Sequence, residues 1–181
     1  MARIPDLDAQ LTPELRSKAR EMMQQRGLPT LGFYAELMAY PQLFDRLQAL
    51  GTFLRFDSIL PPRVREAAVL MAAVEQRSAF EWQTHAKSAL AAGVGPDLFA
   101  AIASGASLQS MGDALEDVRA TVRCVVGQQS VPQGLFDRLT HAFGIAGAVE
   151  VVALAAIYRM FASLGAAFDS AMPDADPPPW M

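Results

Sequence analysis

Four side chains between Pro61 and Gly93 are of types that move protons: Glu66 on one predicted helix, and Ser78, Glu81 and His85 on the next. Ser78, Glu81, Trp82, His85, Ser88 and Ala89 step by three and four. A helix therefore puts the serine, the glutamate and the imidazole on one face, with the indole at its edge. Glu81 and His85 are neighbours on successive turns. A carboxyl group beside an imidazole selects its tautomer and can exchange a proton with it near neutral pH. The same residues also have a purely structural reading. Ser78 as N-cap with Glu81 three residues on is an S-x-x-E capping box, and a solvated Glu/His pair contributes only about 0.2–0.5 kcal/mol. Spacing alone leaves both readings open.

The elements that must position these groups form a helical hairpin spanning 61–93. Pro61 and Pro62 preset a first turn, and a helix runs to about Arg77 with Val64, Ala67, Ala68, Met71, Ala72 and Val74 as one apolar stripe. The second helix starts at Ser78 and stops at Gly93, a favoured residue just past a helix end. With the turn near Arg77 and Ser78, Glu66 lies further from it than His85 does. At about 1.5 Å per residue the two are offset by about 6 Å in a strictly antiparallel hairpin. The expectation is that Glu66 reaches His85 indirectly, while Glu81 and His85 are adjacent.

The run His85-Ala86-Lys87-Ser88-Ala89-Leu90-Ala91-Ala92-Gly93, with Glu66 nineteen residues before the histidine, resembles the carboxymuconolactone decarboxylase and alkylhydroperoxidase superfamily. That superfamily's core hairpin ends in H-x-x-x-A-L-x-x-G. Its peroxidase branch carries Cys-x-x-Cys between the glutamate and the histidine, and here those positions hold Ser78 and Glu81. Dithiol chemistry needs a thiolate to attack the peroxide and a second thiol to resolve the product. Neither residue supplies one. The resemblance thus implies an all-α, oligomeric, alkylhydroperoxidase-like bundle, as a trimer or hexamer, with the cysteine-free E-W-x-x-H pattern closer to the decarboxylase-like members. Catalytic roles fall to His85, Glu81 and Glu66, and substrate contacts to Ser78 and Trp82.

Composition narrows the function classes. The 181 residues are 52% hydrophobic, enough for one core, and the net charge of −4 comes with scattered basic residues, which argues against nucleic acid. The apolar segment Gly144 to Phe168 is interrupted by Glu150 and Arg159, so it reads as a buried helix or oligomer interface rather than a membrane span. No secretory leader is recognised at the start, and the cytoplasm is expected. The lone cysteine, Cys124, sits in an apolar run and reads as a small packed hydrophobe. Two histidines without an H-x-x-x-H pair make a metal unexpected, although Glu66, Glu81 and His85 could supply three ligands. No cofactor is expected.

Along the rest of the chain, Thr12-Pro13-Glu14 starts a helix that stops at Gly27, and Leu28-Pro29-Thr30 is a linker. A short helix follows from Gly32, and a longer one begins at Pro41. Beyond Gly93, a turn leads to a helix near Leu98, then to a Gly/Ser-rich loop from Ser104 to Gly112 that either lines the pocket or is a plain connection. Asp113 and Pro132 start two further helices. His141, four residues after Asp137, reads as its surface partner. Residues 1–171 form one domain, and 172–181 a proline-rich arm whose Trp180 docks on a neighbouring subunit or is disordered. Candidate clamps for a substrate carboxylate are Arg63, Arg65, Arg77 and Arg159. Three functions follow: a decarboxylase-like lyase for a small carboxylated lactone or keto acid; a peroxide-reducing protein using Cys124 with an external thiol; and a non-catalytic oligomer that binds a small molecule.

Overall fold

The structure is a computed structural model that describes residues 11–27, 31–112, 114–170, 178 and 180. The elements are all helical among these residues: α1 (Pro13–Arg26), α2 (Tyr34–Leu37), α3 (Pro41–Phe56), α4 (Pro62–Glu75), α5 (Ala79–Ala91), α6 (Pro96–Ser104), a 3-10 turn (Gln109–Met111), α7 (Leu115–Val126) and α8 (Gln133–Phe168). The all-α expectation holds. Prolines at the first turn of α1, α3, α4 and α6 explain why those helices begin where they do, since the missing N–H has no partner there anyway.

α4 is the centre of the bundle and packs against α5, α6, α7 and α8. It buries Val69, Leu70 and Ala73 as well as the expected stripe up to Ala72, with Val74 only half-buried, so it is enclosed on nearly every side rather than along one face. The hairpin turn after it is as short as two helices allow. Arg77 takes the left-handed conformation (φ 51°), the N–H groups of Arg77 and Ser78 close onto the carbonyls of Val74 and Ala73, and Ser78 already caps α5. At the far end Gly93 (φ 92°) closes α5 in the same manner, as expected.

α8 is long and apolar enough to span a bilayer by length and composition, yet it packs against α4, α5 and α7. Gly144 (φ 72°, ψ 170°) breaks it, so the chain resumes as a new helix after that residue, where the sequence places the boundary. Glu150 is buried on α8, and its Oε2 accepts the N–H of Ile59 at 3.1 Å, pinning the loop ahead of α4. Ile145, Val149, Ala156 and Met160 make an uncharged, outward-facing row on the same helix. Asp113, Leu28-Pro29-Thr30 and most of the proline-rich arm lie outside the described residues. Trp180 does not wait for a neighbouring subunit: its ring meets Trp82 of its own chain edge-on at 5.1 Å.

Candidate active site

His85 projects from α5 into a small cavity, and two carboxyl groups flank its ring. Glu66 on α4 contacts Nδ1 directly, with Oε2 at 3.0 Å, and its other oxygen accepts from Arg65 Nη2 at 3.1 Å. This corrects the expected indirect link. The combined reach of a glutamate and an imidazole spans the axial offset without an intervening water. On the other side, Glu81 Oε2 stands 3.9 Å from Nε2, too far for a hydrogen bond. Glu66, Glu81 and His85 are exposed by only 2%, 3% and 3%.

The two carboxyls are in opposite electrostatic situations. Burial pushes the Glu66 carboxyl up, but the hydrogen bond and charge of His85, with Arg65 and Arg55 behind, hold it at about 2. Burial likewise raises Glu81, and there only the more distant Arg55 charge opposes it, so its carboxyl rises to about 8. His85 is drawn down by burial, against the pull of Glu66. At neutral pH the arrangement is an anionic Glu66 holding the Nδ1 proton, an imidazole with a free lone pair at Nε2, and a protonated Glu81 across from it. A pair of carboxyls pushed apart in this way separates acid from base within one site.

The cavity is about 30 Å³, room for one or two waters. Its aromatic walls are Phe33, Tyr34, Phe80, Tyr158 and Phe161, and Tyr158 stands edge-on to the His85 ring at 5.0 Å. Arg26 and Arg55 supply positive charge. Arg26 is held by Tyr34 Oη (3.2 Å), Thr52 Oγ1 (2.9 Å) and the Gln48 carbonyl (3.0 Å), and Arg55 by Ser88 Oγ (2.7 Å) and the Arg26 carbonyl (3.2 Å). Three polar atoms of the lining residues, Glu81 Oε1, Thr84 Oγ1 and Arg26 Nε, are buried with no hydrogen-bond partner among the described residues. Buried polar atoms are normally satisfied, so this concentration marks the place where a ligand or water belongs.

Several sequence expectations change here. Ser78 caps α5 through the Glu81 N–H (3.3 Å), but Glu81 does not return the bond, because the Ser78 N–H goes to Ala73. The capping box is therefore half formed. Neither Ser78 nor Trp82 lines the cavity: Ser78 borders a separate surface hollow, and Trp82 packs between Phe99 and Trp180. The Gly/Ser-rich loop also stays away from the cavity and borders another hollow. Arg63 bonds the Met111 carbonyl, Arg65 serves Glu66, Arg77 belongs to the turn, and Arg159 lies against the Gln128 amide, so the cavity cations are Arg26 and Arg55 instead. His141 is exposed, and Asp137 accepts from Gln133. Because Glu66 occupies Nδ1, only Nε2 and Glu81 face the cavity together, two ligands where a protein zinc site uses at least three.

The architecture is an all-helical bundle among the described residues, and its core hairpin buries a glutamate against a histidine. Residues 41–123 match the carboxymuconolactone decarboxylase family. Over that stretch, which is just under half of the chain and holds the core hairpin, the chain is similar to the carboxymuconolactone decarboxylase and alkylhydroperoxidase-like superfamily, with Ser78 and Glu81 where the peroxidase branch has its paired cysteines. Among solved structures it is similar to the apo form of the debrominase Bmp8 (TM-score 0.76, 17% identity, 96% of this chain and 91% of that chain). It is also similar to a variant of that debrominase with alanine in place of a cysteine, in complex with 2,3,4-tribromopyrrole (TM-score 0.70, 17% identity, 96% and 91%). At that identity the likeness is one of fold. Comparison with curated protein sequences finds no match.

Proposed function

We infer that the chain is a cofactor-independent lyase that works by proton transfer on a small carboxylated lactone or keto acid. The observation that carries this reading is the pair of buried carboxyls on the two sides of His85, Glu66 hydrogen-bonded to Nδ1 and Glu81 without a hydrogen-bond partner for Oε1 among the described residues, an asymmetry that drives their pKa values apart. His85 Nε2 is the base, and Glu66 stabilises the imidazolium that forms. Glu81 is the acid. In a decarboxylation, the bond to the carboxylate breaks and carbon dioxide leaves. The electron pair passes into the neighbouring carbonyl as an enolate, Glu81 gives its proton to carbon, and His85 Nε2 takes a proton from solvent as an imidazolium and passes it to the Glu81 carboxylate, which resets the site. Arg26 and Arg55 are the groups that stabilise the enolate oxygen. Aromatic walls favour a flat ligand. The bromopyrrole complex shows that the fold of that debrominase takes one, while the reaction remains that protein's own.

The test is NMR in deuterated buffer with a panel of small carboxylated lactones and β-keto acids, comparing wild type with His85→Ala. Wild type is expected to decarboxylate or exchange at least one substrate, and folded His85→Ala to do so about 10²–10⁴-fold more slowly. Equal rates remove His85 from the chemistry. No reaction with either protein moves the reading to a binding module. The thiol-dependent alternative has less support, since Cys124 is half-buried on α7, away from the cavity lining. Self-association through the uncharged outer row of α8 belongs to the same reading, and light scattering that finds only monomers at micromolar concentration removes it.

A further inference from the structure

The cavity at His85 is too small for the substrate class inferred for it, and the obstruction is a single ring. A second hollow of about 230 Å³ opens to solvent beyond it, lined by Arg77, Ser78, Ala162, Gly165, Ala166 and Ser170 among others. Phe80 is the one residue that lines both spaces. Its position follows from the fold: it is the second residue of α5, immediately before Glu81, so its ring stands over the entrance to the carboxyl.

The ring rests between two glycines. A Cβ on Gly32 would lie 2.1 Å from Phe80 Cζ, so only glycine at 32 admits the ring as it stands. A Cβ on Gly165 would be 3.6 Å from Phe80 Cδ1, which places the ring directly over the α8 backbone. Phe80 meets Phe33 edge-on at 5.7 Å and is half-buried, whereas Phe33 is 2% exposed. Both sides of the partition carry polar atoms without a partner among the described residues: Glu81 Oε1 and Thr84 Oγ1 within, Ser170 Oγ without. A half-exposed aromatic side chain changes rotamer far faster than enzymes turn over.

We propose that Phe80 is a movable partition between two compartments of one substrate site, and that the substrate is a small flat acid bearing a polar extension. The flat part lies against His85 and the aromatic walls. The extension passes the displaced Phe80 ring and ends among the polar groups around Ser78 and Ser170. This rests on the reading of the inner cavity as a substrate site and adds the outer hollow as its specificity compartment. Residue size at 80 and at 166 then sets how long a substrate is accepted.

The test uses binding rather than turnover, so it can fail independently of the proposed chemistry. Furan-2-carboxylate and a homologue carrying a hydroxypropyl group on the opposite side of the ring are titrated calorimetrically. The His85 ring and the methyl groups of Ala162 and Ala166 are followed by NMR. Furoate, which enters as the Phe80 ring yields, is expected to shift His85 strongly and the two methyls only slightly, and the homologue to shift His85 and both methyls strongly. Phe80→Ala is expected to tighten the homologue about tenfold, and Ala166→Trp, at an exposed position that leaves the core untouched, to weaken it about tenfold with furoate unchanged. Should Phe80→Ala fold poorly, the Ala166→Trp arm decides. Shifts at His85 alone with both ligands, or equal weakening of both by Ala166→Trp, overturn the partition and leave the proton-transfer reading intact. Shifts at the methyls alone, or no binding of the homologue to any variant, overturn it as well, and the inner cavity loses its substrate-site reading only when furoate also leaves His85 unshifted.

Discussion

The two sides of the His85 ring are built from the same residue type in opposite ways. On the α4 side, Glu66 is fully partnered, by the imidazole and by Arg65, and stays ionised although it is 2% exposed. On the cavity side, Glu81 is as deeply buried, yet Oε1 has no partner among the described residues and Oε2 stops short of Nε2. Burying a carboxylate without partners costs several kcal/mol, and the group avoids that cost by holding its proton. The lesson is that burial alone does not distinguish a structural carboxyl from a reactive one. Satisfaction does: the partnered group positions, and the unpartnered one is left poised for a ligand.

The comparison breaks most visibly at Glu66. Glu66→Ala leaves the Arg65 guanidinium and the His85 N–H facing an empty site, and removing one partner of a buried pair costs roughly 3–5 kcal/mol. Urea unfolding at neutral pH reads this directly, and a loss below about 1 kcal/mol would mean that Glu66 does not anchor the ring. The next effect is at Glu81 and has the opposite sign. Its folded pKa of about 8 lies above the ordinary 4.5, so between these values the folded state holds the extra proton and stability falls as pH rises. Glu81→Gln is expected to abolish that decline, leaving the variant more stable than wild type at pH 9 by an amount on the order of a few kcal/mol. For Glu66 the sign reverses. Its contribution is present above the ordinary 4.5 and is lost as pH falls toward about 2. Parallel pH–stability curves for wild type and Glu81→Gln would remove the asymmetry on which the acid and base roles rest.

Much of this hairpin is legible in the chain itself. Prolines mark four helix starts, Ser78 marks the α5 cap, Gly93 its end, and Gly144 a break inside an apolar stretch that composition alone joins into one span. These are local rules, in which the residue and its neighbours decide the backbone. The Glu66–His85 contact was foreseen only as indirect, because axial rise was counted along helix axes and the length of two long side chains was left out. Arg26, Arg55, Tyr34, Thr84 and Phe80 were missed as site residues for a different reason. Arg26, Tyr34 and Arg55 come from α1, α2 and α3, and no spacing within one helix shows which residues of distant helices converge, whereas Phe80 and Thr84 lie on α5 beside Glu81 and His85 and are passed over by a reading in steps of three and four. Tyr158 had a weak signal: of Glu150, Tyr158 and Arg159, the polar exceptions on α8, it is the one that turns to His85. Ser78 and Trp82 lie outside the lining of the inner cavity, because sharing a face with His85 at spacing three and four covers too wide an arc for a cavity this small.

The smallest expected effect sharpens the distinction at Ser78, where the structural and the functional readings of the sequence meet. Ser78 Oγ accepts the Glu81 N–H at 3.3 Å, a cap whose removal typically costs about 1 kcal/mol. Glu81 is raised chiefly by burial of its side chain, to which the cap contributes nothing, so Ser78→Ala should leave the Glu81 titration where it is. Two measurements on one variant separate the readings. A drop of about 1 kcal/mol in urea with an unchanged pH dependence of stability makes Ser78 a cap that holds the start of α5, and with it Phe80 and Glu81, at the cavity mouth. A shifted pH dependence would mean that the serine hydroxyl reaches the Glu81 carboxyl. The distinction between the satisfied and the unsatisfied side of His85 would then have to be redrawn to include it.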